Sequence, residues 1–260
     1  KKEYTSNYGS KWWYLMEKSK KYSKFLSQLV ADKFFLYGSH TEKSLTYHGI
    51  PKEKLIISGC GRYDILFNEK ENTEEKYIIL LGSAIPSTAY SYFLSNNKIL
   101  EWEKMITSVF VALKELNENI IIKRHPTQNK EIIKFQDLAN KFLPNVKIYK
   151  NRNTYKLLSK SKLVVSMLSS VITEAIILDK PVVMPRYMEH DLGAQFMSTN
   201  AVLTIDRPED ALNVIKKALY DDEVKAQLKI GREKFLKEHL EFRGNATEKT
   251  LELISDILKK

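Results

Sequence analysis

Apolar and polar positions alternate in blocks along the chain, and the block spacing changes character several times. Between Lys11 and Asp32 the residues Trp12, Leu15, Met16, Tyr22, Phe25, Leu26 and Leu29 recur at roughly helical spacing among lysines, which predicts a basic amphipathic helix. Phe34 to Tyr37 is a short apolar run stopped by Gly38. A helix is expected from Thr41 to Tyr47, closed by Gly49 and Pro51, and a strand from Leu55 to Ile57. This strand-helix-strand rhythm suits the edge of a parallel sheet.

Asn68 to Lys76 (NEKENTEEK) is charged and aperiodic, and it reads as an interdomain linker. Beyond it the pattern restarts with the apolar run Tyr77 to Leu81, ending in Gly82 and Ser83. Helices are expected at Ile99 to Leu116, Glu131 to Phe142, Thr154 to Leu158 and Val171 to Leu178. Strands are expected at Ile120 to Ile122, Val146 to Tyr149, Leu163 to Val165 and Pro181 to Met184. Short apolar strands separated by helices predict a doubly wound parallel sheet covered on both faces. The tail from Pro208 onward reads as helical, with Asp206 as the cap before Pro208 in the first turn. There are no internal repeats and no low-complexity tract.

Composition narrows the function classes. Of 260 residues, 43% are hydrophobic and 28% charged, which is the balance of a globular protein with a real core. No run of ~18 apolar residues occurs, so no membrane-spanning helix is expected. The single cysteine, Cys60, has no internal disulfide partner, and no Cys/His spacing resembles a zinc site. The cytoplasm is the expected compartment, and Lys1 is read as a trimmed or processed start. A net charge of +10 implies anionic company, or simply a lysine-rich solvated surface. No nucleic-acid-binding signature accompanies it, so no nucleic-acid partner is expected.

In an open parallel sheet, ligands bind outside the carboxyl ends of the strands, and four stations there carry candidate chemistry. Gly82 and Ser83 would allow close backbone approach and a hydroxyl contact, although a glycine ending a strand is also ordinary turn chemistry. Lys123, Arg124 and His125, held by Pro126, place two cations and an imidazole together, as a phosphate or base requires. Ser166, Ser169 and Ser170 lead into a helix start that favours a diphosphate, with Thr173 and Glu174 one turn inside. Glu174 is placed to accept from a ribose diol, or more plainly to complement the helix dipole while a serine caps it. Arg186 would grip phosphate, with Glu189 or His190 near the transferred group, unless these form a surface ion-pair cluster.

Several strings resemble a known superfamily: Ser58-Gly59-Cys60-Gly61-Arg62-Tyr63-Asp64, Lys123-Arg124-His125-Pro126, Leu168 to Val183 (LSSVITEAIILDKPVV) and Phe242 to Thr247 (FRGNAT). Together they look like the landmarks of GT-B-type glycosyltransferases. The groups most similar are capsule and teichoic-acid transferases, including CDP-glycerol glycerophosphotransferases, and the UDP-N-acetylglucosamine 2-epimerases. The resemblance covers most of the chain from about Phe34 onward. It implies an α/β fold of GT-B type, with a partial amino-terminal Rossmann-like, acceptor-side domain (1–67), a linker (68–76) and a donor-binding Rossmann-like domain with carboxyl-terminal helices (77–260). The front of the acceptor domain, with any catalytic base it supplies, is expected to be missing.

By the same resemblance His125 would contact the donor near its phosphates, Ser169 and Ser170 would bind the diphosphate, and Glu174 would hold the ribose. Epimerases usually carry Ser-Gly-Gly where this chain has Leu168-Ser169-Ser170, and glycerophosphotransferases often have Asp at the position of Glu174. The leading expectation is a metal-independent glycosyl or glycerophosphoryl transferase of surface-polysaccharide synthesis. Its donor would be UDP- or CDP-linked, with no further cofactor, and its acceptor a glycan or lipid-linked molecule. His125 and Arg186 would stabilise the leaving group, and the absence of an Asp-x-Asp triplet agrees with a mechanism without metal. The alternatives are a 2-epimerase-like enzyme and a non-catalytic nucleotide-binding module whose helix Lys11 to Asp32 docks peripherally on the anionic inner face of a membrane.

Overall fold

The computed structural model describes residues 31–47, 49–68, 74–82, 96–125, 130–186 and 193–259. The expected amphipathic helix from Lys11 therefore lies outside the described residues, apart from its last positions. The chain divides into two units. One comprises residues 1–70, 190–199 and 233–260, and the other residues 71–189 and 200–232. The sequence pattern led us to expect one continuous second domain from 77 to 260. The difference arises because residues 233–260 pack closely on the glycine-rich part of the amino-terminal segment, as described below.

The larger unit is built on six parallel strands: β3 (Tyr77–Leu81), β4 (Ile120–Lys123), β5 (Lys147–Tyr149), β6 (Ser161–Ser166), β7 (Val182–Pro185) and β8 (Leu203–Ile205). Their spatial order is β5-β4-β3-β6-β7-β8. The central strands read as unbroken apolar runs because helices cover both faces. Ile78, Ile79 and Leu80 in β3 and Leu163, Val164 and Val165 in β6 are almost completely buried. Helix α3 (Asn96–Glu115) presents Trp102, Met105, Ile106, Val109, Phe110 and Leu113 to this core at three- and four-residue spacing. Phe110 meets Phe135 of α4 (Lys130–Phe142) edge to face, with ring centroids 5.2 Å apart.

Strand β8 is absent from the sequence expectation, because a three-residue edge strand whose first two positions are only half-buried gives little periodicity to read. Its discovery also corrects the role of Asp206. That carboxylate accepts from Arg186 at 2.9 Å and from the Thr204 hydroxyl at 3.1 Å, while the 3-10 turn Pro208–Asp210 starts at Arg207 with no side-chain cap. Helix α8 (Ala211–Tyr220) follows and buries Ala211, Ile215 and Ala218. Helix α9 (Asp222–His239) contributes its first part to the larger unit, where Arg232, only 4% exposed, forms an ion pair with Asp179 at 2.7 Å.

In the smaller unit β1 (Phe34–Leu36) pairs in parallel with β2 (Leu55–Ile57) across α1 (Ser39–Tyr47). Leu36, Ile50 and Leu55 form a small core. The glycine-rich string after β2 packs on the segment around FRGNAT. A Cβ on Gly59 would lie 2.3 Å from the Glu241 carbonyl oxygen, and Gly59 holds φ +75, so both space and backbone conformation require glycine. Asp64, at the start of α2 (Asp64–Asn68), accepts from the backbone N–H groups of Ala246 (2.9 Å) and Thr247 (2.8 Å). It thereby caps α10 (Ala246–Leu258) from a distant part of the chain, where Asn245 makes no side-chain cap bond. Burial pushes the Asp64 carboxyl up, but hydrogen bonds from Thr247, Ala246 and Gly244 outweigh it and hold the group below its ordinary value. Among the described residues no helix is long and apolar enough to cross a membrane.

Two measurements check this architecture. Asp64→Ala is expected to lower stability by about 1 kcal/mol in urea unfolding at pH 7. Because Asp64's folded pKa is depressed, its contribution is complete above the unfolded value of 3.8 and disappears as pH falls through the lower folded value. The difference between variant and parent should therefore close in acid. Gly59→Ala should cost more, about 2 kcal/mol or above, because left-handed strain adds to the clash with Glu241.

Candidate functional site

The strand order reverses at one place. From β3 the chain steps outward through β4 to β5, then returns to the other side of β3 and steps outward through β6, β7 and β8. In open parallel sheets such a switch point is where a ligand crevice forms at the carboxyl edge. The register gives the occupants of that edge. Leu81 is paired with Lys123 on one side and with Ser166 on the other, so Gly82 stands between the loops that follow β4 and β6. Gly82 donates its N–H to the Lys123 carbonyl at 3.0 Å, and a Cβ there would touch the Phe135 ring at 3.4 Å. Ser83 lies outside the described residues.

Beyond β4, three side chains expected to act together behave differently. Lys123 is 7% exposed and donates to the carbonyls of Arg124 (2.8 Å) and Lys150 (3.0 Å). Burial pushes its ammonium pKa down. Its chemistry is thus turned inward, tying the β4 and β5 loops together. Arg124 is half-buried; one terminal nitrogen donates to Gln136 at 2.9 Å, while its Nε is buried without a hydrogen-bond partner. The His125 imidazole is pushed down by burial and then by the Lys123 charge, which keeps it neutral at pH 7. It offers either an acceptor nitrogen or an N–H rather than a fixed positive charge.

The loop after β6 is anchored from below. The Trp102 indole N–H points at the Met167 sulfur at 3.1 Å, with both side chains buried. Ser166 is fully buried and its hydroxyl donates to the Met167 carbonyl at 2.7 Å, so it shapes the loop from inside. Ser169 Oγ accepts from the Val171 N–H at 3.3 Å at the start of α6 (Val171–Ile177). Ser170 is exposed and makes no side-chain cap bond. Thr173 is half-buried, and Glu174, in the first turn of α6, is 1% exposed. A carboxylate this deep requires specific partners, and Glu174 has one.

Arg186 follows β7 and donates to Asp206 beyond β8, while its Nε is buried without a hydrogen-bond partner. Glu189 and His190 lie outside the described residues. The structure therefore sets Gly82, Arg124, His125, Ser169 and Ser170 on adjacent loops around the switch point, with Arg186 one strand further out beside its counter-charge. Sequence reasoning missed Gln136 and Asp206, which orient the two guanidinium groups. Inspecting the residue after each strand would have found Asp206 had β8 been recognised.

These features define the class as an α/β protein with a Rossmann-like parallel sheet. No protein-family model matches the sequence, and no curated sequence is similar enough to count as a relative. Among solved structures, the chain is similar to Staphylococcus aureus MnaA in complex with UDP, at TM-score 0.64 and 15% identity over 89% of this chain and 62% of that one. It is also similar to the UDP-GlcNAc 2-epimerase of Methanocaldococcus jannaschii bound to UDP-GlcNAc and UDP, at TM-score 0.57 and 17% identity over 78% and 59%. A third likeness is to the wall teichoic acid polymerase TagF (H444N variant), at TM-score 0.59 and 14% identity over 94% and 61%. At such identities the shared property is the fold. The chain spans about three fifths of the length of these proteins.

The division between inward and outward chemistry is open to test. Lys123→Met should lower stability by about 2 kcal/mol in urea unfolding, because the carbonyls of Arg124 and Lys150 lose a charged donor. Ser170→Ala, which removes an exposed hydroxyl without a cap bond, should change it by less than about 0.5 kcal/mol.

Proposed function

We propose that the chain is the donor-binding part of an enzyme that uses a nucleotide-activated sugar or glycerol in glycan biosynthesis, with glycosyl or glycerophosphoryl transfer as the leading reaction. The observation that carries this reading is the switch point itself: Gly82, Arg124, His125 and the Ser169–Ser170 helix start converge where the strand order reverses. Small side chains and main-chain N–H groups there suit the phosphates of a nucleotide, and Glu174 suits a ribose diol reached from within. Ser83 and Glu189, from neighbouring loops, belong to the same proposed site. Lys123 and Ser166 support it from beneath.

In transfer, an acceptor oxygen attacks the activated carbon or phosphorus while the bond to the nucleotide breaks. Negative charge then accumulates on the departing phosphate. Arg124 and Arg186 carry permanent positive charge, and a neutral His125 supplies an N–H that costs no proton exchange. Stabilising that charge is the role assigned to His125 and Arg186. The donor is proposed as UDP- or CDP-linked, without a further cofactor. The acceptor is proposed as a glycan or lipid-linked molecule, presented at the cytoplasmic face of a membrane.

The likeness to a 2-epimerase bound to UDP-GlcNAc and UDP favours a second reading, in which the same site inverts a UDP-sugar without any acceptor. Incubating UDP-N-acetylglucosamine with the protein alone separates the two, since only an epimerase forms the 2-epimer under these conditions. The primary test is calorimetric titration with UDP, CDP, GDP and ADP. One nucleotide is expected to bind selectively, and His125→Ala and Glu174→Ala are each expected to weaken it by about tenfold or more. Failure of every nucleotide to bind, or binding indifferent to both substitutions, overturns the donor-site reading.

A further inference from the structure

The smaller unit holds a cluster that the donor site does not use. His40 stands in the first turn of α1, and Glu238 and His239 end α9. One ligand-type atom from each of the three lies within 4.8 Å of the others. We propose that His40, Glu238 and His239 bind one divalent transition-metal ion of the zinc class. No spacing motif announces the site, because its parts come from opposite ends of the chain and only folding joins them.

The argument begins with the backbone. Gly38 sits immediately before α1, and a Cβ there would be 2.6 Å from the His239 carbonyl oxygen, so the two segments approach more closely than any side chain at 38 allows. The Glu241 N–H donates to the Tyr37 carbonyl at 2.9 Å, fixing the register of that approach. The imidazole rings consequently lie in tilted contact, with centroids 4.1 Å apart and planes at 44°. His239 also stacks on Phe235 at 4.5 Å and 18°, which sets the ring's orientation. His239 Nε2 is buried and has no hydrogen-bond partner. An aromatic ring with an unused buried nitrogen, beside a second imidazole and a carboxylate, is more costly as plain packing than as a ligand.

The donor set also selects the ion. Two imidazoles and one carboxylate suit zinc, cobalt or nickel and disfavour calcium or magnesium, which prefer oxygen ligands. Bonds of about 2.0–2.2 Å would draw the three ligand atoms to roughly 3.4 Å apart, a contraction that small side-chain rotations supply. Three protein ligands leave the fourth position to water. Burial favours neutral imidazole at His40 and His239, with Glu238 opposing and Lys43 reinforcing this at His40. The bound ion would clamp the first turn of α1 to the last turn of α9.

The test uses the full chain after dialysis against EDTA, titrated calorimetrically with zinc chloride and followed with Co²⁺ by visible absorption. One ion per chain is expected, together with d–d bands of a low-coordinate Co²⁺ site and a rise in thermal midpoint on adding zinc. His40→Gln and Glu238→Gln should each weaken binding by about tenfold or more, whereas His125→Ala should leave it unchanged. His239→Ala also removes the ring that stacks on Phe235, so the two other substitutions decide the matter. No stoichiometric binding of either ion, or binding retained in both His40→Gln and Glu238→Gln, overturns the site.

Discussion

The larger unit depends on β3 having a parallel neighbour on each side. A strand buried on both faces can satisfy its N–H and C=O groups only through the sheet, and Tyr77–Leu81 does so with β4 on one side and β6 on the other. From that double pairing comes the reversal of strand order at β3. Helices α3 and α8 cover one face with an apolar core, and the Trp102–Met167 contact carries that packing up to the loop after β6.

Around the switch point, polar residues are divided by depth. Lys123 and Ser166 direct their polar groups at backbone carbonyls and hold loops in shape. Among the described residues Arg124 is held by Gln136 and Arg186 by Asp206, and both retain donors. This separates positive charge that shapes the protein from positive charge that can meet an anion. Residue type alone does not separate them, since Lys123 and Arg124 are adjacent.

The smaller unit depends instead on close backbone approach. Gly38, Gly59 and Gly61 each stand where a Cβ would collide with residues between His239 and Thr247, and Asp64 caps α10 across the same junction. The two strings that most strongly suggested a GT-B relationship outside the sheet, SGCGRYD and FRGNAT, are therefore the two sides of one packed contact. The same approach brings the His40 and His239 rings into tilted contact.

By itself, the amino-acid sequence determined the local elements. Strand β3 begins and ends where its apolar run does, and the helices α3, α4, Thr154–Ser159 and α6 agree with their periodicity to within about three residues, because burial on one or both faces writes a period into the chain. Residues following strands were legible as candidate ligands for the same reason. What only tertiary structure decided was partnership. The short edge strand β8 left too few buried positions to read, and the return of residues 233–260 to the amino-terminal unit rests on glycine contacts with no periodic signature. Whether a given lysine faces a ligand or a carbonyl, and whether two distant histidines meet, depends on which backbones approach within a few ångströms, and that is a property of packing that no window of neighbouring residues contains.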